Sequence, residues 1–168
     1  MKTLKNSSKG FTLIEILIVI GIIAILAAIV IVAINPAKQF AQARNTQRES
    51  NINTILNAVG QRIADNKGVF DGTFTIDGNT YNCPALPTTT KTITDTNDAD
   101  EVDLNCLFPT YIPAQIPVDP DGGSWTSTTT YDTNYTIQAN DAGRVTVCAP
   151  NAVNEDSLPT ITSLCVTR

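Results

Sequence analysis

From Ile16 to Ile34 the chain runs nineteen residues without a charge or a side-chain amide. No other feature narrows the possible folds as much. As a helix this run spans roughly 29 Å at about 1.5 Å per residue, which matches a bilayer hydrocarbon core of about 30 Å. The alternative, a helix wrapped inside a large soluble core, needs more surrounding chain than the rest of the 168 residues supplies. A membrane-spanning helix is the reading. It raises a question at once, because Glu15 sits at its leading edge. A carboxylate at the centre of a spanning helix costs about 2.5–3.5 kcal/mol, and intramembrane acids usually have a partner.

The charge distribution separates this segment from the C-terminal remainder of the chain. Residues 1–67 hold eight Lys/Arg against Glu15, Glu49 and Asp65, a balance of +5; residues 68–168 hold Lys91, Arg144 and Arg168 against thirteen acids, a balance of −10. A basic, apolar first third joined to an acidic remainder suggests an anchor or assembly segment and a solvated head. Histidine is absent, so Ser-His-Asp and Cys-His catalysis and His-containing metal sites cannot be built. Nothing in the residue pattern calls for an enzyme. Cys83, Cys106, Cys148 and Cys165 contain no CxxC pair; an even, widely spaced set in a Thr/Asn-rich region reads as two disulfides in an oxidising compartment. Three pairings are possible.

The start, "MKTLKNSSKG", is short and basic through Lys2, Lys5 and Lys9. Ordinary secretory signals have an apolar stretch of about 7–15 residues followed by a small-residue cleavage site. Here the apolar stretch is longer and the small residue, Gly10, precedes it. If anything is removed, it is the basic leader. With "KGFTLIE" at Lys9 to Glu15 and the uninterrupted apolar run behind it, residues 1–34 resemble the cleavage and methylation segment of type IV prepilins and of type II secretion pseudopilins. The resemblance implies a prepilin peptidase cutting after Gly10, N-methylation of the new terminus Phe11, an inner-membrane assembly platform, and assembly with copies of the same chain.

Cleavage would place a cationic α-amine on Phe11, with a reference pKa of about 7.7–8.0, close in depth to Glu15. In a low-dielectric bundle of identical helices, pairing Glu15 with the Phe11 amine of an adjacent chain compensates both charges. The expectation is that Glu15 sets axial register, and the resemblance implies the same role. Gly21, Ala24 and Ala28 offer a small-residue face for close helix approach. Charge bias alone does not orient the helix, since Lys38, Arg44 and Arg48 come after it as Lys2, Lys5 and Lys9 precede it. The cysteines do, by requiring an extracytoplasmic head and a cytoplasmic leader.

Beyond Ile34, Asn35-Pro36 is expected to kink or open the helix. Related pilins often carry a helix-breaking Pro nearer the middle of the apolar stretch, and this chain has none there. Ile52, Ile55, Leu56, Val59 and Ile63 keep helical spacing and form an apolar face, ending near Gly68. Lys38, Arg44 and Arg48 read as exposed or intersubunit charge; nucleic acid is not an expected partner for an acidic chain.

The head should be β-rich. "VFDGTFTIDGNTYNC" has two DG pairs between alternating runs. Tyr135 and Ile137, a turn over Asn140 to Gly143, then Val145 and Val147 form the clearest hairpin, and "TITSLCVT" is a further strand. Cys148 and Cys165 then join neighbouring strands or clamp the last one, favouring Cys83–Cys106 with Cys148–Cys165. The expected fold is α+β: a long N-terminal helix packed against a small antiparallel sheet, pilin-like. Its boundaries are a leader at 1–10, a transmembrane and assembly helix at 11–34, an amphipathic continuation at 35–67 and a disulfide-bearing head at 68–168.

No cofactor is required. "DTNDADEVD", Asp95 to Asp103, lacks the glycine and terminal glutamate of an EF-hand loop and reads as a solvated acidic loop. Asp119 and Asp121 in "IPVDPDGG" are the calcium candidates, in wording similar to a Pro/Asp loop of major pseudopilins, some of which hold Ca²⁺ there. "GGSWT" imitates a nucleophile elbow but has no histidine base. The expected function is a structural prepilin inserted in the cytoplasmic membrane and polymerised into an extracytoplasmic filament. A pseudopilin of a secretion machine is the first alternative. A monomeric membrane-anchored binding protein, for which Glu15 and cleavage are dispensable, is the second.

Overall fold

A computed structural model describes residues 10–159 and 161–168. Lys2, Lys5 and Lys9 of the expected leader, and Thr160 in the last expected strand, lie outside the described residues. The chain divides into two compact units, Met1–Gln39 and Phe40–Arg168.

In the first unit, helix α1 (Leu13–Ile34) has 22 residues, none of them buried. Its Ile, Leu and Val side chains are at least half exposed along the whole length, as expected of a surface whose solvent is not water. It is long and apolar enough to cross a membrane. Asn35 ends it in the left-handed conformation, φ 46°, and Pro36 opens helix α2 (Pro36–Asp65). Proline suits a first helical position, where its missing N–H is not needed. The Asn35 side chain accepts from the Lys38 N–H at 3.4 Å. The expected kink is thus a cap and a new helix start.

In the second unit, α2 buries Ile52, Ile55, Leu56 and Val59, the face its spacing predicts, and Ile63 packs partly buried beside them. Burying each such side chain stabilises by about 1.5–3 kcal/mol before entropy. The helix closes with Lys67 and Gly68 both at positive φ and the Gly68 N–H on the Ile63 carbonyl at 2.8 Å. The C-terminal stop is therefore shared between Lys67 and the expected Gly68.

Strands β1 (Gly72–Ile76) and β2 (Asn79–Cys83) form a separate antiparallel hairpin. Asp77 (φ 50°) and Gly78 (φ 79°) turn it; two positive φ values in succession suit an Asp-Gly type I′ turn. The main sheet contains β3 (Lys91–Thr94), β4 (Glu101–Asp103), β5 (Ser124–Ser127), β6 (Thr130–Ala139), β7 (Val145–Cys148) and β8 (Cys165–Thr167). Its order is β4-β3-β6-β7-β8, with β5 also on β6. Ile93, Tyr135, Ile137 and Val147 from the sheet join the α2 face in one core.

Two features depart from the sequence reading. The β3–β4 pair is parallel, whereas the rest of the sheet is antiparallel. β4 also lies inside the segment read as a solvated acidic loop. Val102 explains this: it is 3 % exposed, and burying that one apolar side chain draws its acidic neighbours into register beside β3.

Candidate assembly site

Gly10 and Phe11 precede α1, Glu15 lies in its first turn, and all three are exposed. Phe11 is 84 % exposed. Thr12 is the N-cap of α1. Its hydroxyl accepts from the Glu15 N–H at 3.3 Å, and Glu15 Oε2 accepts from both the Thr12 N–H and the Thr12 hydroxyl at 2.8 Å. This reciprocal arrangement is a capping box, which satisfies backbone donors that a helix start would otherwise leave open. The spacing Thr-x-x-Glu before an apolar run is its signal in the sequence. Within a single chain Glu15 therefore already has a partner. Gly21, Ala24 and Ala28 all lie on the exposed surface of α1.

A second constellation was not expected. Arg48 and Asp119 are both fully buried, and Arg48 donates from Nε to Asp119 Oδ2 at 2.8 Å and from Nη2 to Asp119 Oδ1 at 3.0 Å. Its Nη1 donates to Asn45 Oδ1 at 2.8 Å and to Glu155 Oε1. Arg44 donates to the same glutamate, through Nε at 2.8 Å to Oε1 and through Nη2 to Oε2. Two cations thus face two carboxylates, and each buried charge is hydrogen-bonded, the condition for burying charge without a large penalty. The contact with Arg44, and secondarily with Arg48, pulls the Glu155 carboxyl down to about 2 despite its burial.

Local chain geometry delivers Asp119 to this position. The Asp119 N–H donates to the Thr133 carbonyl at 2.9 Å, Asp119 Oδ1 accepts from the Asp121 N–H at 2.8 Å, and the Gly123 N–H returns to the Asp119 carbonyl at 3.2 Å. A Cβ on Gly123 would lie 2.5 Å from the Asp119 nitrogen. Only glycine lets the loop close this tightly.

The two calcium candidates, Asp119 and Asp121, have different surroundings in this geometry. Both Asp119 oxygens accept from Arg48, while Asp121 is exposed beside it. Among the described residues no group of three or more His, Cys, Asp or Glu side chains is placed to hold a metal ion. Arg48, read from sequence as an exposed or intersubunit charge, is instead an internal one. Its carboxylate partners lie 71 and 107 residues away, beyond any local pattern.

Cys83 is bonded to Cys106 and Cys148 to Cys165, the sequential connectivity. The second bond joins directly paired residues of β7 and β8 and clamps the terminal strand. The first ties the β1–β2 hairpin to the turn at Asn105–Leu107.

The family model of the prokaryotic N-terminal methylation motif matches residues 5–31. No curated protein and no solved structure matches the chain. The motif supports recognition of the chain as a precursor of the type IV pilin and pseudopilin kind. The apolar N-terminal helix and the small α+β head agree with a pilin-like fold.

Proposed function

We propose that this chain is a structural subunit, cleaved after Gly10 and N-methylated on Phe11, that leaves the membrane to polymerise through α1 into an extracytoplasmic filament of the type IV pilus kind. Residues 1–10 act as the leader, 11–34 as spanning and assembly helix, 35–67 as its amphipathic continuation and 68–168 as the head. A prepilin peptidase, an assembly platform and further copies of the chain are the partners. No catalytic residue and no cofactor take part.

One observation carries this function: a methylation motif at residues 5–31 overlaps a 22-residue apolar helix with no buried residue. In a tether, which needs only apolar surface to stay in lipid, Glu15 would serve the cap of its own helix and nothing more. Glu15 is the discriminating residue. In the uncleaved chain the capping box satisfies it; after cleavage the Phe11 ammonium of a neighbour competes for the same oxygens and adds a charge pair in a low-dielectric bundle. Apolar packing lets one Ile-rich surface slide over another, whereas a charge pair selects one axial offset. The two disulfides support a head on the oxidising side, with the N-terminus cytoplasmic.

The test is Glu15→Ala in the full-length chain. The expected result is normal cleavage and normal abundance with loss of filaments by negative-stain microscopy. Filaments in normal number would remove the register role and leave a membrane tether.

A further inference from the structure

We infer that neighbouring copies in the filament interlock beyond α1: the Phe40 side chain of one copy seats in a recess between α2 and the β6–β7 turn of the next. The recess measures about 160 Å³. Leu56, Val59 and Ile63 of α2 and Val145 of β7 make its walls apolar, and Gly60 and Gly143 line it without any side chain. An apolar cavity of about 150 Å³ accommodates a benzene ring, so a phenyl group fits the volume. This contact rests on the assembly proposed for the chain and is distinct from the one made by Glu15.

The recess is left open by the chain's own packing. Gly60 stands in the interior of α2, where glycine weakens a helix relative to alanine. A Cβ at that position would meet no atom within 4 Å, so nothing inside the chain excludes a side chain there; a side chain would instead occupy the recess. Arg168 supplies the remaining wall, its guanidinium held by Asn57 Oδ1 and, at 3.1 Å, by Asn53 Oδ1. Aliphatic walls with one fixed cation suit an aromatic ring, whose π face attracts a guanidinium. Among the described residues Phe40, at 66 %, is the only exposed aromatic side chain of the unit Phe40–Arg168.

The placement of ring and recess sets how copies meet. Ala41, Arg48, Ile52, Ile55 and Val59 mark the buried face of α2. At about 100° per residue, Phe40 lies about 100° to one side of that face and Gly60 about 100° to the other. Parallel copies set side by side bring one flank of α2 against the opposite flank of the next, so each copy offers a ring to one neighbour and a recess to the other. Such a contact is heterologous, and where the rotation does not close it propagates into an open helical filament. Phe40 and Gly60 are twenty residues apart, about 30 Å along the helix, which gives the axial offset between these neighbours. One ring buries roughly 150–250 Å², far below the roughly 1,200 Å² at which stable interfaces begin. A free partner would not be held by so small a contact, whereas a copy already gathered through α1 would be, because its effective concentration is high.

The experiment compares filaments sheared from cells expressing the unaltered full-length chain, Phe40→Cys, Gly60→Cys, the two substitutions combined, and Gly60→Leu. All four native cysteines are disulfide-bonded, so a short bis-maleimide linker added to intact filaments reports on the new thiols. We expect a ladder of covalent multimers from the combined variant, linked between peptides containing positions 40 and 60, and no ladder from either single variant. Gly60→Leu fills the recess from its own chain and should lower filament yield about fivefold or more, with normal cleavage, normal subunit abundance and a head melting temperature no lower than that of the unaltered chain. Filaments of the combined variant that yield no multimers overturn the contact and leave the assembly reading intact. If the combined variant does not assemble, Gly60→Leu filaments in normal number overturn the contact equally. An unaltered chain that forms no filaments overturns both.

Discussion

Arg48 grips Asp119 through two donors, at 2.8 and 3.0 Å, and neither side chain is accessible to solvent. This one contact ties α2 to the loop before β5. Asp119→Ala leaves a buried guanidinium half-compensated, and removing one partner of such a pair costs about 3–5 kcal/mol. Against a total domain stability of about 5–15 kcal/mol, the head should unfold at much lower denaturant, read by circular dichroism. Replacing both residues together with apolar ones of similar volume should restore much of the loss, because the penalty is the orphaned charge.

Gly123→Ala should act on the same contact without touching either charge. The added Cβ would meet the Asp119 backbone at 2.5 and 2.7 Å, so the loop must open and Asp119 must shift. Destabilisation of about 1–3 kcal/mol is expected from such crowding, and it should be smaller in an Asp119→Ala background, where the alignment no longer matters. A double-mutant denaturation cycle measures the coupling.

Glu155 makes the head acid-sensitive in a defined window. Its carboxyl is held at about 2 in the folded protein against an ordinary value of 4.5, chiefly by the Arg44 hydrogen bond. A depressed folded value means that the unfolded chain takes up the proton first as pH falls. The stabilisation is complete above about pH 4.5 and is lost progressively toward about pH 2. Melting temperature against pH should decline through that window, and Glu155→Gln should be less stable at neutral pH with a shallower decline.

The two disulfides should respond differently to reductant. Cys83 and Cys106 are 2 % and 1 % exposed, whereas Cys165 is exposed on the short last strand. Thiolate attack requires access, so mild dithiothreitol should open Cys148–Cys165 first, detected by alkylation and peptide mass spectrometry. Loss of that 17-residue linkage should cost about 3 kcal/mol on loop-closure grounds.

Legibility in the sequence divides along contact distance. Gly10, Phe11, Glu15 and the apolar run form one local pattern, and periodicity placed Ile52, Ile55, Leu56 and Val59 on the buried face. The hairpin turns at Asp77-Gly78 and Asn140–Gly143 were legible because their residue types carry the geometry. Arg48 with Asp119 and Glu155 was not, since nothing near Arg48 in the chain distinguishes a buried arginine from a solvated one. The short β4 is hidden because a single valine among acids gives no alternation to read. The Thr12–Glu15 capping box is a local pattern as well, but one carboxylate can serve a cap within its own chain or an amine on a neighbour, and spacing alone points to both.

The proposed assembly is tested most directly in material sheared from the cell surface, by mass spectrometry of the intact subunit and its first peptide, which identifies the subunit's N-terminal residue. A chain beginning at Phe11, carrying one added methyl group on its amine, is the predicted result. A filament subunit that still begins at Met1 would contradict the proposed assembly, because no amine would then exist beside Glu15 for a neighbour to pair with.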